Sequence, residues 1–388
     1  MFDSSHVNLP TLRKLAHNLR WATVPPDVIP LTAADPDFPC PPPVTEAIAK
    51  FLQDRYFSYG PPEGHPPFRE SMARFFQHKR NIPASPAWIL PVDSAAFGIY
   101  ITCKAFLAPG DEAIVFDPVD FLFRYAIEAA DARAVAHPIP PGASACFGKL
   151  EQLITPKTRL ICLCNPLNPT GKVFTRSELL ELGRIACRHN LVILSDEIWS
   201  DIVYSPNTFY SIAALDGEIR DRTVTVTGFS KSYGLAGLRI GAVMASNTEH
   251  YSRIFDASLH QSTVHGANIL SQVAAAAALD DCEGWLREFV GHLQAMRDSC
   301  VAGLNALPGF TCRPPDGCYV AFANISGTGR SAAEMRELLF TKAKVAVVPG
   351  LPEWFGPGAA NHIRLSFATS GEILQDAMNR ITLTIRNL

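Results

Sequence analysis

The sequence predicts an α/β protein: a three-layer large domain with a mostly parallel sheet, plus a smaller α+β C-terminal domain. Three observations carry that expectation. Short, near-continuous apolar runs alternate with stretches of helical apolar spacing, the pattern of parallel strands covered on both faces by crossover helices. At 388 residues, 47% of them apolar and 18% charged, the chain is long enough for more than one core. Near residue 283 the alternation gives way to one long amphipathic stretch, then a few strands and a last helix.

In chain order, residues 1–43 read as an irregular N-terminal arm and part of the small domain, closed by the proline-rich break at 39–43. Residues 44–283 form the large domain. Its strands are expected at EAIVF (112–116), RLICLC (159–164), LVILSD (191–196), TVTVT (223–227) and LRIGAVMA (238–245), all rich in β-branched or other apolar residues. Between them RSELLELGRIACRHN has helical spacing. Residues 284–388 form the small domain, opening on WLREFVGHLQAMRDSCVAGLNAL and ending in a helix from Gly371 onward.

Composition narrows the function. A formal net charge of −3 with no long basic run gives nucleic acid or an anionic membrane no electrostatic footprint. No stretch approaches the roughly 18 uninterrupted apolar residues of a membrane span, and the opening residues are polar, so a cytoplasmic protein acting on small molecules is expected. The ten cysteines are scattered. Cys162 and Cys164, the close pair, flank a single residue, which is neither zinc nor redox spacing, and buried free thiols in a reducing compartment are expected.

In parallel sheets, ligands bind outside the carboxyl ends of the strands, and several polar residues fall there. Asp196 closes LVILS; an acid at that place is also a common helix cap. The loop CNPLNPTGK (164–172) sets a rigid turn that aims Asn168 into a pocket or is simply a turn. The segment TGFSKSYGLAGLRIG (227–241) places Lys231 and Arg239 together. A lysine among apolar groups becomes a nucleophilic amine, and an arginine offers a fork of donors for phosphate. No GxGxxG follows an early strand, against a dinucleotide-binding dehydrogenase.

The order NPxNPTG, then DE, then SK followed by GLRIG resembles the fold type I pyridoxal 5'-phosphate (PLP) enzymes of the aminotransferase class I and II superfamily, from ADPDFPCP near the start to HIRLSFA near the end. The resemblance implies the PLP-dependent transferase fold and a Schiff base between Lys231 and the cofactor, with Lys231 then moving the substrate proton. It implies that Asp196 pairs with the pyridine nitrogen and that Asn168 bonds the phenolic oxygen. Arg239 and Ser230 would hold the phosphate, with Ser94 and Ala95 of SAAFGIY (94–100) at a helix N-terminus that suits an anion. Tyr59 would reach the phosphate in a neighbouring subunit, making the active unit a homodimer. Arg364 would bind the substrate carboxylate, helped by Asn168 and the backbone of Ala34.

Three positions depart from that pattern. Trp199 stands where many relatives place a tyrosine, and an indole only donates. DPVDFLF puts Asp120 where a ring-stacking aromatic is usual, leaving Phe121 as the nearest substitute. Gly228 replaces a phosphate-binding serine, leaving Thr227 as a hydroxyl candidate. The resemblance favours transamination between an amino acid and a 2-oxo acid. AADPDF also resembles the cystathionine β-lyase-like C–S lyases, so β-elimination is the alternative. A PLP-sensing regulator would need a helix-turn-helix module, and the roughly forty residues before the large domain lack one.

Overall fold

The computed structural model describes residues 2–387; residues 1 and 388, the outer limits of the expected arm and small domain, lie outside the described residues. A seven-stranded sheet is built from β1 (Ile89–Val92), β2 (Glu112–Asp117), β3 (Arg133–Pro138), β4 (Thr158–Cys164), β5 (Val192–Asp196), β6 (Thr223–Gly228) and β7 (Gly241–Ala245). Its spatial order is β1-β7-β6-β5-β4-β2-β3. The pairs among β2 to β6 are parallel, and β7 runs antiparallel to both of its neighbours.

The five apolar runs read from the sequence all become strands. The two strands without such a signal are the sheet's edges. β1 contains Pro91, a residue sheets tolerate at edges, and β3 is largely exposed or half-buried, with only His137 buried. The expected strand 238–245 starts late, at Gly241. Residues Ala236–Leu238 form a 3-10 turn and Arg239 takes a left-handed conformation (φ 52°), so Arg239 sits in the turn leading into β7.

The helix Arg176–Arg188 crosses from β4 to β5 and is fixed by a capping box in which Thr175 accepts from Glu178 N–H and the Glu178 carboxylate accepts from Thr175 N–H. The large apolar core lies between the sheet and such helices, with Leu160, Ile161, Ile193, Leu194, Val224 and Val226 among its residues. A second core joins the N-terminal arm to the C-terminal part: Phe2, Trp21 and Leu31 pack with Phe289, Leu293 and Leu304 of the helix Glu283–Asn305 and with Leu374 and Ile381 of the helix Gly371–Arg386. That part carries a four-stranded antiparallel sheet, in which Val320–Asn324 pairs with His362–Ser366.

The arm is pinned by a buried ion pair between Arg20 and Asp37. Arg20 also donates to Pro30 O at 2.7 Å, and Trp21 Nε1 donates to Asp37 at 2.7 Å. Each charge is thereby compensated inside the protein, as burial requires.

Candidate active site

The carboxyl ends of β4, β5 and β6 open onto a cavity of about 540 Å3 between the large sheet, the N-terminal arm and the C-terminal part. Lys231, Asp196, Asn168, Ser230, Arg239, Ser94, Ala95, Phe121, Trp199, Arg364 and Ala34 all line it. Residues spread over more than 300 positions thus converge on one pocket, where sheets of this kind bind ligands.

Asp196, the last residue of β5, is buried and accepts from Ile198 N–H at 3.1 Å. Burial raises its carboxyl to about 7, Asp120 adds to the rise, and the Ile198 bond and Lys231 oppose it. A cationic ring nitrogen placed here would favour the ionised form. Lys231 Nζ donates to the Ala34 carbonyl at 2.6 Å and lies 5.4 Å from the centre of the Trp199 ring. Burial lowers its pKa, with Arg364 acting in the same direction and Asp35, Asp120 and Asp196 opposing. A lysine so placed has an amine that is easier to deprotonate than a solvated one.

At the opposite wall Ser94 caps the helix Ala95–Phe106, its hydroxyl accepting from Phe97 N–H at 3.1 Å. The N–H groups of a first helical turn have no partners within the helix and suit a phosphate. β7 runs close beneath this turn: a Cβ on Gly241 would lie 2.8 Å from Ala95 N and 2.9 Å from Ser94 C, so only glycine permits the approach. Ser230 and Arg239 complete the wall. An anion cradle, a buried acid and a lysine of lowered pKa around one cavity fit the three reactive ends of PLP: phosphate, ring nitrogen and aldehyde.

Arg364, from the strand His362–Ser366, is buried; its Nη1 donates to Asn168 Oδ1 at 3.1 Å and its Nη2 to Thr32 O at 3.4 Å. Its buried Nε has no protein partner among the described residues. A fixed guanidinium facing the cavity with spare donor capacity suits a carboxylate. Asn168 is held by its own loop, where Leu167 N–H donates to Lys172 O at 2.8 Å and Gly171 N–H to Leu167 O at 2.7 Å.

The geometry places three further residues as follows. Ala34 lines the cavity, and its carbonyl accepts from Lys231 and, at 3.1 Å, from Tyr319 Oη. Thr227 is buried with its hydroxyl 3.5 Å from Glu197 O and lies outside the cavity lining. Tyr59 also lies outside the lining, 88% exposed and 5.2 Å from the His265 ring.

To part of the wall the sequence assigns no role. Asp120 lines the cavity and accepts from Asn168 Nδ2 at 2.9 Å and from Leu122 N–H at 3.3 Å. Glu353, Trp354 and Phe355 enter from the C-terminal part, and Asn18 and Leu19 from the arm. The aromatic pair inside the proline- and glycine-rich segment LPEWFGPG was the available signal.

Comparison with known proteins agrees with this geometry. The family model described as aminotransferase class I and II matches residues 26–381. The chain is 32% identical to an aspartate aminotransferase of Pyrococcus abyssi over 93% of its length and 92% of that protein's. It is 30% identical to the cystathionine beta-lyase PatB of Bacillus subtilis, covering 92% of each chain. The crystal structure of an aromatic aminotransferase from Pyrococcus horikoshii OT3 superposes with a TM-score of 0.87 at 29% identity, covering 98% of this chain and 99% of that one. With a matching model spanning most of its length and a pocket built as that family's fold requires, the chain belongs to the aminotransferase class I and II family.

Proposed function

We propose a residue-by-residue account of the aminotransferase reaction that this enzyme carries out with PLP, moving an amino group between an amino acid and a 2-oxo acid. When bound, PLP supplies an electron sink that weakens the bonds at the substrate Cα. Asp196 holds a negative charge against the ring nitrogen, and Asn168 faces the phenolic oxygen. Ser94, Ala95, Ser230 and Arg239 hold the phosphate, with Phe121 and Trp199 enclosing the ring. Lys231 would hold the cofactor through Nζ and, once released, would take the proton from Cα and deliver it to the cofactor carbon that had carried the aldehyde; its lowered pKa supports both duties. Arg364 binds the α-carboxylate and so sets which bond at Cα faces the lysine.

The observation that carries the account is the convergence of Lys231, Asp196 and Arg364 on one cavity. Tyr59 at 88% exposed, beside Tyr56 at 80% and Phe57 at 60%, supports a homodimer in which this segment covers the partner's cofactor phosphate. The two cores support a large domain at 44–283, with 1–43 and 284–388 contributing to a smaller one. Among the described residues no helix is long and apolar enough to cross a membrane. Ten unpaired cysteines support a cytoplasmic setting.

The test is a panel of amino acids with 2-oxoglutarate or pyruvate as acceptor. Keto-acid exchange without ammonia release is the expected result. Pyruvate and ammonia from a cysteine thioether would instead favour the C–S β-lyase reading, which the similarity to PatB keeps as the alternative.

A further inference from the structure

The cavity holds three cations, Lys231, Arg239 and Arg364, and the account above engages all three: the first with the cofactor, the second with its phosphate, the third with the substrate's α-carboxylate. Of its three acids only Asp196 is engaged. Asp120 and Glu353 are left over.

Asp120 is the deeper of the two. Asn168 stands between it and Arg364, donating to Asp120 at 2.9 Å and accepting from Arg364 at 3.1 Å. That bridge fixes the Asn168 amide and keeps the carboxylate facing the cavity. An ionised carboxylate has about four acceptor sites, and Asn168 and Leu122 N–H occupy two. The same cavity is lined by the rings of Phe121, Tyr125, Trp354 and Phe355.

Arg364 and Lys231 offset the burial of Asp120, while Asp196 and Cys164, which also feel its charge, add no positive charge beside it. In the loaded enzyme neither cation would remain to offset Asp120: Arg364 would pair with the substrate carboxylate, and Lys231, whose charge is given up when the cofactor is held, would be freed by the substrate as a neutral base. A buried carboxylate that loses its compensating charges is strongly destabilised unless the ligand brings one. A carboxylate set among aromatic faces is also how proteins receive organic cations.

We propose that Asp120 is a specificity-determining residue that selects amino acids with a positively charged side chain and disfavours dicarboxylic ones. The inference rests on the proposed function, whose substrate class it names.

The holoenzyme is assayed with L-arginine, L-lysine, L-phenylalanine, L-aspartate and L-glutamate as amino donors, and with Asp120→Asn beside the wild type. The expected wild-type kcat/KM favours the basic donors over the dicarboxylic ones by roughly tenfold or more, and Asp120→Asn erases that preference. As a binding readout, α-methylornithine should perturb the visible band at lower concentration than α-methylaspartate, and this order should vanish in the variant. A wild-type preference for aspartate or glutamate overturns the inference, as does a ranking that Asp120→Asn leaves unchanged. If the variant does not fold, the wild-type ranking and the two analogue titrations still decide. Absence of a visible band and of nitrogen exchange with every donor would count against the proposed function itself; exchange with the wrong ranking sinks only this inference.

Discussion

Replacing Arg364 by lysine isolates what the guanidinium fork contributes, because the positive charge stays. In the structure the fork is preset: Nη1 is held by Asn168 at 3.1 Å and Nη2 by Thr32 O at 3.4 Å. A carboxylate meeting this group makes two charge-assisted hydrogen bonds, each contributing about 1.5–3 kcal/mol. Lysine keeps one of them and loses the anchoring to Asn168. The expected loss is therefore about 1.5–3 kcal/mol, roughly ten- to hundredfold in kcat/KM for an α-amino acid. Steady-state kinetics of Arg364→Lys measure it, with a primary amine that lacks the carboxylate as an internal control. The amine's rate should stay within about threefold of wild type, since it forms no such pair. A loss below threefold for the amino acid, or an equal loss for the amine, would refute the assignment.

Three further outcomes follow from the same geometry. Burial raises Asp196 to about 7, above its unfolded value, so in the cofactor-free protein this group's contribution to stability is full at pH values below about 4 and declines as pH rises towards 7. Urea midpoints between pH 5 and 8 should show the stability difference between wild type and Asp196→Asn moving against the wild type with rising pH, by at most about 1.4 kcal/mol per pH unit, and a pH-independent difference would contradict it. Gly241→Ala should raise the cofactor dissociation constant, because its Cβ would meet Ala95 N at 2.8 Å, whereas Gly237→Ala, with open space around it, should not; equal titrations of the two would remove the cradle argument. Asp37→Ala strands the buried Arg20 and should cost about 3–5 kcal/mol in chemical denaturation, with a loss under 1 kcal/mol speaking against the pair as the pin of the arm.

The central strands and the site residues at their ends were legible because a parallel sheet buried on both faces must be written in continuous apolar residues, and because the polar groups that end such runs are conspicuous. Asp196 and Lys231 stood out for that reason. β1 and β3 escaped because sheet edges need neither continuous apolarity nor freedom from proline. The sequence puts Arg239 on a strand because Ile240, Gly241 and Ala242 continue an apolar run, while its left-handed backbone is visible only in three dimensions. In the sequence Asp120 shows only as a departure from the usual ring-stacking aromatic, and nothing there reveals its hydrogen bond to Asn168. Its partner Asn168 lies 48 residues away and Arg364 another 196 beyond, distances over which no local pattern reports a hydrogen bond.

The central claim is that Lys231 carries the cofactor beside Asp196. Borohydride reduction of the purified holoenzyme, followed by peptide mass mapping, tests it most directly. The account predicts a phosphopyridoxyl mass increment on the peptide containing Lys231, and its absence from Lys231→Ala. An increment on a different lysine, or an unmodified Lys231 in protein that absorbs in the visible range, would contradict it.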